Sequence, residues 1–377
     1  MVSSQYRICN RCVMDTSDPE ILFDNDGNCN HCDAVFNDKK DILYHGEASD
    51  KKLEAIVQKI KRNSQGKEYD CLVGISGGTD SSYLAHKIVK LGLRPLAVHL
   101  DNGWNSEEAV KNIKYLCQKI NIDYETHVLD WEGFKDIQLS VLKSSIVEVE
   151  IPTDIAIGGT LFRIAAKNNI KYIISGGNTA TEGILPEKWF YDPKDHKLLT
   201  SIHKQFGKIE MKNFPDLSYW REIYYKLFKG IRMVYLLNYL PYNKKDCIEE
   251  LEREIGWKNY GGKHHENVFT KFCHSYLQPV KFNLDYRRAT LSSQICNNEV
   301  TRDEAIQILK EKPYDEETIE SQKEYVSKKL EITKEELEEI ISSEPKSYQD
   351  YPNNEKRLNF LYGVYRKYFS SIFGVHG

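Results

Sequence analysis

Residues 70–82 read Asp-Cys-Leu-Val-Gly-Ile-Ser-Gly-Gly-Thr-Asp-Ser-Ser, an apolar run that changes abruptly into glycine and small hydroxyl residues. The apolar part, from Leu72 to Ile75, predicts a buried strand, and the apolar residues that follow Asp80 recur at helical spacing. A strand that turns through two glycines into a helix presents free backbone N–H groups and the positive end of a helix dipole to an anion. The stretch therefore predicts a phosphate-binding loop between a strand and a helix.

The side chains of this loop can add to its backbone donors. Hydroxyl groups can donate to phosphate oxygens, and the carboxylate of Asp80 can hold a metal ion that bridges them. The candidate cofactor-binding residues are Ser76, Gly77, Gly78, Asp80, Ser81 and Ser82. The spacing differs from the Gly-x-x-x-x-Gly-Lys-Ser/Thr of a Walker A loop. It resembles the Ser-Gly-Gly-x-Asp-Ser loop of the PP-loop ATP pyrophosphatases, which implies a grip on the β,γ-pyrophosphate of ATP and transfer of AMP to a substrate oxygen. The alternative is a plain turn between strand and helix.

The composition is that of a globular chain with room for two or three domains. Of its 377 residues 40% are hydrophobic and 29% are charged, and the net charge is −4. This balance gives no general argument for nucleic acid or for an anionic membrane as a partner. No apolar run approaches the roughly 20 residues that span a bilayer, and the first residues lack the apolar region of a signal peptide. We therefore expect a cytoplasmic protein that does not insert into membranes and keeps its thiols reduced.

Two Cys-x2-Cys pairs lie near the N-terminus, with sixteen residues between them: Cys9, Cys12, Cys29 and Cys32. Four thiolates in this spacing suit a structural, tetrahedral Zn²⁺ site. Disulfides and a redox Cys-x-x-Cys pair are the alternatives, and a reducing compartment disfavours them. A closed four-cysteine site has no open position for catalysis, so we expect it to staple the fold or to form a docking surface.

Strand and helix patterns alternate after the first loop. We predict strands over Pro95 to Trp104, Tyr124 to Leu129 and Tyr172 to Ser175, and helices over Glu107 to Ile120, Ile155 to Lys167 and Trp220 to Leu240. This order predicts an α/β fold with a doubly wound parallel sheet, in which ligands bind at the carboxyl ends of the strands. The resemblance to the PP-loop enzymes makes Asp101 a candidate contact of the adenosine, although Asp-Asn-Gly is also a common turn. Gly158 and Gly159, inside a predicted helix, indicate close approach of a ligand or of another backbone.

Residues 175–183 repeat the design of the first loop, with a strand end, paired glycines and small polar residues. The candidate cofactor-binding residues here are Gly176, Gly177 and Asn178. Glu182 follows them, and the resemblance to the PP-loop enzymes makes it a candidate to share Mg²⁺ with Asp80. Lys188 can neutralise a phosphate or a substrate carboxylate, and a solvated loop lysine is the alternative.

Residues 256–302 concentrate imidazole, carboxylate, ammonium and guanidinium groups. The candidates are Lys263, His264, His265, Glu266, Arg287 and Arg288. Neither a Walker A loop nor a His-Glu-x-x-His zinc motif is present here. Such a set suits an anionic substrate and proton transfer, and a solvated charge run is the alternative.

The order of these motifs is similar to that of the bacterial N-acetyl sugar amidotransferases (the WbpG/PseA type) of surface-polysaccharide and flagellin-glycan biosynthesis. The resemblance extends from Cys9 to about Leu309. It rests on Cys-x2-Cys-Val-Met, Ser-Gly-Gly-x-Asp-Ser, Gly-Gly-Asn, Gly-Gly-Lys-His-x-Glu and Asp-x-Arg-Arg-x-x-x-Ser. Tyr286 departs from the family pattern, in which a lysine stands between the aspartate and the two arginines.

The resemblance implies an adenine nucleotide α-hydrolase-like fold and a reaction that turns an acetamido group into an acetamidino group. The substrate would be a nucleotide-linked diacetamido uronic acid or a nonulosonic acid such as pseudaminic acid, used in lipopolysaccharide O-antigen or flagellin glycans. ATP, Mg²⁺ held by Asp80 and Glu182, and structural Zn²⁺ are the implied cofactors. The implied role of His264, His265 and Glu266 is substrate contact and deprotonation of ammonium. Lys263, Arg287 and Arg288 would bind the acidic substrate.

The implied partner is a separate glutaminase subunit that supplies ammonia, as in pairs that resemble imidazole-glycerol-phosphate synthase, because no Cys/His/Glu glutaminase module is recognisable. A homo-oligomer stays open. The predicted domains are a zinc-binding module at 1–48, an ATP-binding α/β domain at 49–230 and a mainly helical substrate-binding region at 231–377.

Two other classes of protein are alternatives. One is a PP-loop tRNA thiolase or deazaguanine nitrile synthase, although a thiolase needs a basic face for RNA and the net charge is −4. The other is a non-catalytic zinc-knuckle adaptor that senses ATP, which the presence of both Asp80 and Glu182 disfavours.

Overall fold

The computed structural model of the protein describes residues 6–39, 42–192, 195–259 and 266–368. Its centre is one five-stranded parallel sheet. The strands are β1 (Cys71–Gly74), β2 (Pro95–Asp101), β3 (Tyr124–Val128), β4 (Tyr172–Ile174) and β5 (Arg232–Val234), and their spatial order is β3-β2-β1-β4-β5.

Helices cover the sheet and build the C-terminal third. They are α1 (Asn30–Ala34), α2 (Glu47–Asn63), α3 (Thr79–Lys90), α4 (Glu107–Lys119), α5 (Trp131–Ser144), α6 (Ile151–Lys167), α7 (Thr179–Glu182), α8 (His196–Phe206), α9 (Tyr219–Ile223), α10 (Lys244–Ile255), α11 (Val268–Phe272), α12 (Gln278–Phe282), α13 (Arg287–Cys296), α14 (Arg302–Lys310), α15 (Ile319–Leu330), α16 (Lys334–Ser342) and α17 (Glu355–Tyr368). Single π-helical turns at Val35–Lys39, Tyr224–Phe228 and Cys273–Leu277 continue α1, α9 and α11. No helix within the described residues is long and apolar enough to cross a membrane.

The sheet is doubly wound, as the sequence predicts. The chain leaves β1 for β2 and β3 on one side and then returns to place β4 and β5 on the other. Val73 of β1 is paired with Ala97 of β2 and with Ile174 of β4. The order of strands reverses between β1 and β4, and in open α/β sheets ligands bind in the crevice outside the carboxyl ends at such a point.

Both faces of the sheet are buried at its centre: successive side chains of β1 point to opposite faces, and each face packs against helices. Val73 packs in one core cluster with Leu84 of α3 and Leu116 of α4. Leu72, one residue earlier, packs in another with Phe162 of α6. A parallel sheet covered on both faces needs continuous apolar strands, which is why the run before the first loop is recognisable in the sequence.

The paired glycines of α6 allow another backbone to approach closely. A Cβ atom at Gly159 would lie 2.6 Å from the carbonyl group of Pro215, and one at Gly158 would lie 3.1 Å from Leu217. The predicted close approach is confirmed, and the partner at Gly159 is a backbone.

The helix predicted over Trp220 to Leu240 is wrong. The helical segment ends at Phe228, and Gly230 turns the chain with a φ of +66°. The N–H of Arg232 then donates to the carbonyl oxygen of Lys171 at 2.8 Å and adds β5 to the sheet. The sheet therefore continues past residue 230, while the predicted domain boundaries stay predictions.

Candidate functional site

The first glycine loop connects β1 to α3, and its backbone conformation requires glycine. Gly77 has a φ of +81°, and a Cβ atom there would lie 2.5 Å from the carbonyl oxygen of Ala109 in α4. The indole N–H of Trp257 donates to the carbonyl oxygen of Gly77 at 3.1 Å. Packing from α4 and from the end of α10 thus holds the loop in one shape.

The hydroxyl groups of the loop are arranged around its backbone. The N–H of Ser76 donates to Oγ of Ser81 at 3.2 Å, and the N–H of Gly78 donates to Oγ of Ser76 at 3.2 Å. Ser82 is fully buried, and its Oγ has no hydrogen-bond partner within the described residues. Buried hydroxyls are nearly always hydrogen-bonded, so an unpartnered hydroxyl beside this loop fits a phosphate ligand.

The second glycine loop touches the first. A Cβ atom at Gly176 would lie 3.3 Å from the backbone nitrogen of Ser81, at the start of α3. Asn178 caps α7, because its Oδ1 accepts the N–H of Thr181 at 2.9 Å. The two loops that the sequence singles out, about a hundred residues apart in the chain, are therefore adjacent at the switch point of the sheet.

Carboxylates surround the meeting point of the loops. The hydroxyl of Tyr242 donates to Oδ1 of Asp80. The hydroxyl of Ser76 donates to Oε1 of Glu266 at 3.4 Å, across 190 residues of sequence. Burial raises the pKa of Glu266, and the charge of Asp80 adds to the rise. Asp80 and Glu266 thus lie together at the first loop.

A cavity of about 840 Å³ opens from the two loops. It is lined by residues of β1, β2, β4 and β5, by the first half of α6 and by residues that follow 265. Five carboxylates line it: Glu148, Glu150, Asp154, Glu182 and Glu266. No lysine or arginine among the described residues lines it. Its volume suits a ligand of nucleotide or sugar-nucleotide size.

Three of these acidic residues were not predicted as site residues. Burial raises the pKa of Glu148 to about 7, of Glu150 to about 8 and of Asp154 to about 7. The side chain of Asp154 is exposed to the cavity, and the protein walls around its carboxyl raise its pKa. The signal in the sequence was three acidic residues within the apolar run 146–157.

Comparison with known proteins identifies the part of the chain that completes the cavity. Residues 266–365 match the model of the family described as LPS biosynthesis protein WbpG-like, C-terminal domain. Residues 266–365 form a WbpG-like C-terminal domain. The resemblance that the sequence motifs indicate is confirmed for this part of the chain.

Curated relatives match only short parts of the chain. It is 34% identical over 71 residues to a tRNA(Ile)-lysidine synthase of Chlamydia pneumoniae, which is 18% of this chain and 22% of that protein. It is 30% identical over 114 residues to an uncharacterized protein of Methanocaldococcus jannaschii, 25% of this chain and 40% of that protein. The chain thus spans well under two thirds of the length of either relative.

The solved structures that the chain matches include a thiolase and a synthetase, both at low sequence identity. The U34-tRNA thiolase NcsA from Methanococcus maripaludis is 13% identical with a TM-score of 0.34, covering 81% of this chain and 89% of that chain. The NMN synthetase from Francisella tularensis is 15% identical with a TM-score of 0.30, covering 59% of this chain and 99% of that chain.

The WbpG-like domain supplies one wall of the cavity. Its lining residues include Glu266, Thr270, His274, Gln278 and Tyr286. His274 stacks on the ring of Tyr286, with the ring centroids 4.5 Å apart. Tyr286, the position that departs from the family motif, therefore faces the cavity.

Several predicted site residues lie elsewhere. Nζ of Lys188 is 3.3 Å from a carboxylate oxygen of Glu20 on the surface, outside the cavity lining. Oδ1 of Asp101 accepts the N–H of Gly103 at 2.9 Å and so holds its own turn. The predictions for Lys263, His264 and His265 fall outside the described residues.

The two arginines of the WbpG-like domain are paired within the protein, and the expectation that they face the substrate is not supported by their positions. The guanidinium of Arg287 forms a salt bridge with Asp285 at 2.7 Å. That of Arg288 lies 3.0 Å from the buried carboxylate of Asp15 and donates to the carbonyl oxygen of Val13 at 2.9 Å. Neither residue lines the cavity.

The four N-terminal cysteines converge as a metal site would require. The sulfur atoms of Cys9 and Cys32, of Cys12 and Cys29, and of Cys29 and Cys32 are 3.8, 3.5 and 3.7 Å apart. Four ligands at about 2.3 Å from one tetrahedral zinc ion lie about 3.8 Å from each other. All four cysteines are buried and free of disulfide bonds, so the donor set fits a thiolate-bound metal ion.

This cysteine knuckle, residues 9–32, is fastened to the WbpG-like domain. The guanidinium of Arg302 donates to the carbonyl oxygens of Cys9 and Cys12 at 2.8 and 3.1 Å. The N–H of Val13 donates to Oγ of Ser292 in α13 at 3.2 Å. His31 lies outside the thiol cluster and contacts Asp18 at 2.6 Å. The predicted role of the knuckle as a staple of the fold thus has a physical basis.

Proposed function

We propose that the protein is an ATP-dependent amidotransferase that converts the acetamido group of an N-acetyl sugar into an acetamidino group, for a surface polysaccharide or a flagellin glycan. The observation that carries the proposal is the contact of the two glycine loops at the start of α3, beside a cavity that a WbpG-like domain completes. A pyrophosphate-binding loop that forms part of the wall of a cavity of sugar-nucleotide size suits AMP transfer to a bound sugar.

The reaction has two steps. An amide carbon is a poor electrophile and its oxygen a poor leaving group, so the amide oxygen first attacks the α-phosphorus of ATP. The bond to the β,γ-pyrophosphate breaks, and an imidoyl-adenylate forms. Ammonia then adds to the imidoyl carbon, the C–O bond to AMP breaks, and the amidine is left after loss of a proton.

The chain offers residues for the first step. The backbone of the first loop and the hydroxyls of Ser76, Ser81 and Ser82 bind the pyrophosphate. Asp80 and Glu182 would hold Mg²⁺, which would stabilise the charge that develops on the departing pyrophosphate. The partly buried Ser76–Glu266 contact places a carboxyl of raised pKa beside this loop, where it suits proton transfer.

Further parts of the proposal concern the metal ion, the source of ammonia and the residues that contact the sugar. Zn²⁺ occupies the four-cysteine site, and a separate glutaminase subunit supplies ammonia. His264, His265 and Lys263, with Glu266 in one motif, contact the sugar. The protein acts on a small substrate and does not bind nucleic acid.

The experiment is a pyrophosphate-release assay with ATP, Mg²⁺ and ammonium against a panel of acetamido sugars and sugar nucleotides. We expect release with one sugar, and a product in which NH replaces O by mass spectrometry. Asp80→Asn should lower the rate at least ~100-fold, the scale seen when a group that stabilises transition-state charge is removed. Glu108→Gln, on the exposed face of α4, is the matched control and should keep the rate. Release with tRNA alone would contradict the proposal and favour a thiolase.

A further inference from the structure

One part of the cavity wall carries acceptor atoms that no donor of the described residues meets. Glu148 is 8% exposed, and neither of its carboxylate oxygens has a hydrogen-bond partner within the described residues. Oε1 of Glu150 is also unpartnered there, whereas Oε2 accepts from the hydroxyl of Thr270 at 2.6 Å. Both side chains line the cavity.

A neutral side chain independently points to the same need for a donor. Gln278 is 3% exposed and lines the cavity from the WbpG-like domain. Its amide nitrogen donates to the carbonyl oxygen of Val147 at 3.2 Å, which leaves its Oε1 without a partner among the described residues. Two domains of different sequence thus present unpaired acceptors around the segment 147–150.

Unpaired buried acceptors of this kind are costly. A buried carboxylate without a cation or hydrogen-bond donor is strongly destabilised relative to water. The described lining contains no lysine or arginine that could supply the charge. A ligand that brings several N–H donors and one positive charge would satisfy the acceptors, whereas an anionic ligand would add repulsion.

The arrangement suits a protonated amine better than a divalent metal ion. Among the described residues, two groups of three or more histidine, cysteine or acidic side chains have ligand atoms close enough to share one metal ion: the four cysteines, and His86 with Glu250 and Glu254. Glu148, Glu150 and Asp154 form no such group of three. An ammonium group needs only separate acceptors along its N–H directions.

We propose that Glu148, Glu150 and Gln278 bind a protonated amino group, either free ammonium or the ammonium end of a primary amine, and that a glutamate of this site removes its proton. The role as nitrogen donor rests on the proposed function. In the step, one N–H bond breaks, the proton passes to the carboxylate and the electron pair stays on nitrogen. The resulting lone pair attacks the imidoyl carbon as the C–O bond to AMP breaks.

The surroundings fit such a proton acceptor. Burial raises the pKa of Glu150 to about 8 and that of Glu148 to about 7, which brings each closer to the pKa of an ammonium donor and eases proton transfer. The other titratable groups that face them are Asp154, Tyr286, Cys273 and Tyr348. Burial and these carboxylates raise the pKa of Tyr286, so its phenol stays a neutral hydrogen-bond donor beside the site.

Binding can be tested without turnover on the full chain. We would measure the thermal midpoint at pH 8 in ammonium chloride, methylammonium chloride, potassium chloride and magnesium chloride at equal ionic strength. Potassium resembles ammonium in charge and size but donates no hydrogen bonds. We expect a higher midpoint in ammonium than in potassium, and a rise with methylammonium would extend the site to primary amines. A rise with magnesium alone, or equal midpoints in all four salts, would overturn the proposal.

Variants separate the site from general salt effects. Glu148→Gln and Glu150→Gln should abolish the difference between the thermal midpoints in ammonium and in potassium. Glu210→Gln, at an exposed position, should retain this difference. Gln278→Met removes one acceptor without altering the charge and should reduce the difference, so the test survives if a glutamate variant fails to fold. A difference unchanged in all three cavity variants would place the amine elsewhere and refute the assignment.

A kinetic arm separates this proposal from the proposed function. In the pyrophosphate-release assay, Glu150→Gln should raise the KM for ammonium at least ~10-fold, the loss of about 1.4 kcal/mol of binding. An ammonium-specific midpoint without pyrophosphate release would leave the amine site standing and refute the amidotransferase. Pyrophosphate release with an unchanged KM for ammonium in Glu150→Gln, together with equal thermal midpoints in the four salts, would refute the amine site and leave the amidotransferase standing.

Discussion

Gly77 shows how one residue fixes the first loop. Its φ of +81° lies in the region that side chains rarely adopt, and its Cα is so close to α4 that a Cβ atom would lie 2.5 Å from the carbonyl oxygen of Ala109. Two separate physical reasons therefore exclude a larger residue. The backbone donors on either side depend on this geometry for their direction.

Gly77→Ala should destabilise the protein by about 2–4 kcal/mol, because a left-handed backbone conformation costs about 1–3 kcal/mol and the clash adds to it. We also expect pyrophosphate release to fall at least ~100-fold as the loop donors are displaced. Urea denaturation and the release assay measure the two effects.

Gly66→Ala is the matched control. Gly66 has a φ of +73°, but a Cβ atom there meets nothing within 4 Å. It should cost only the conformational part, about 1–3 kcal/mol, and leave activity intact. Equal losses in both variants would mean that the contact with α4 has no role.

At the scale of elements, the cysteine knuckle depends on helices from the far end of the chain. Arg302, the first residue of α14, donates to two carbonyl oxygens of the knuckle. Oγ of Ser292 in α13 accepts a hydrogen bond from a third backbone group of the knuckle, the N–H of Val13. The metal site and the WbpG-like domain are thus one packed unit.

Arg302→Met should loosen this unit, because hydrogen bonds to a charged group contribute about 1.5–3 kcal/mol. We expect faster metal transfer from the knuckle to a chelator, followed with a colorimetric zinc indicator, and faster thiol modification. Arg287→Met is the matched control, since Arg287 pairs with Asp285 and with carbonyl oxygens of Ile308 and Glu311. Equal rates in the two variants would show that Arg302 does not hold the knuckle.

Local patterns explain which elements the sequence could predict. The strand, glycine turn and helix around Gly77 are encoded within residues 70–90. The capping box of Thr301 and Glu304 that opens α14 is encoded just as locally, within four residues. β5 was missed because its three residues follow an aromatic, helix-like stretch and are defined only by pairing with β4. The roles of Arg287 and Arg288 could not be read because Asp15, a partner of Arg288, lies more than 270 residues away.

At the scale of the whole molecule, two sets of acidic groups act on stability in opposite directions. Burial raises the pKa of Glu148, Glu150 and Asp154 to about 7, 8 and 7. Hydrogen bonds from Lys90 lower the pKa of Glu254 to about 2. The pKa of Asp136 is also lowered: burial opposes this, but the N–H groups of Ile209 and Lys208 outweigh it.

Stability should therefore be greatest in mildly acidic solution. The raised groups stabilise the fold fully below their unfolded pKa near 4, and this contribution is lost as pH rises through about 7 to 8. The lowered groups stabilise the fold above their unfolded pKa, and that contribution is lost as pH falls toward 2. Urea midpoints in a non-amine buffer should fall between pH 6 and pH 9.

Glu150→Gln should flatten this fall, because the amide cannot ionise. The groups that face Glu150 are Asp154, Tyr286 and Cys273. Burial holds the pKa of Tyr286 and of Cys273 above this pH range, so the slope that remains comes from Glu148 and Asp154. Glu210→Gln, on the surface, should leave the profile as it is. If the urea midpoint of the Glu150 variant fell between pH 6 and pH 9 as steeply as that of the unchanged protein, the Glu150 carboxyl would not be the cause of the fall.

The candidate site was predictable in part. The two loops, Asp80 and Glu266 belong to short motifs, and the structure brings them together. The acidic wall was not predictable, because Glu148 and Glu150 alternate with valines and only the packing of α12 and α13 against them defines a cavity. The roles assigned to individual site residues stay predictions.

The joining of the knuckle to the last third of the chain has a consequence for biosynthesis. The two ends of the Val13–Ser292 hydrogen bond are separated by 279 residues, which a ribosome adds in roughly 15–55 s at about 5–20 residues per second. During that interval the four thiols have left the ribosome but lack the helices that later cover them. A metal ion that binds as soon as the second cysteine pair emerges would protect the thiols from oxidation until α13 and α14 are made.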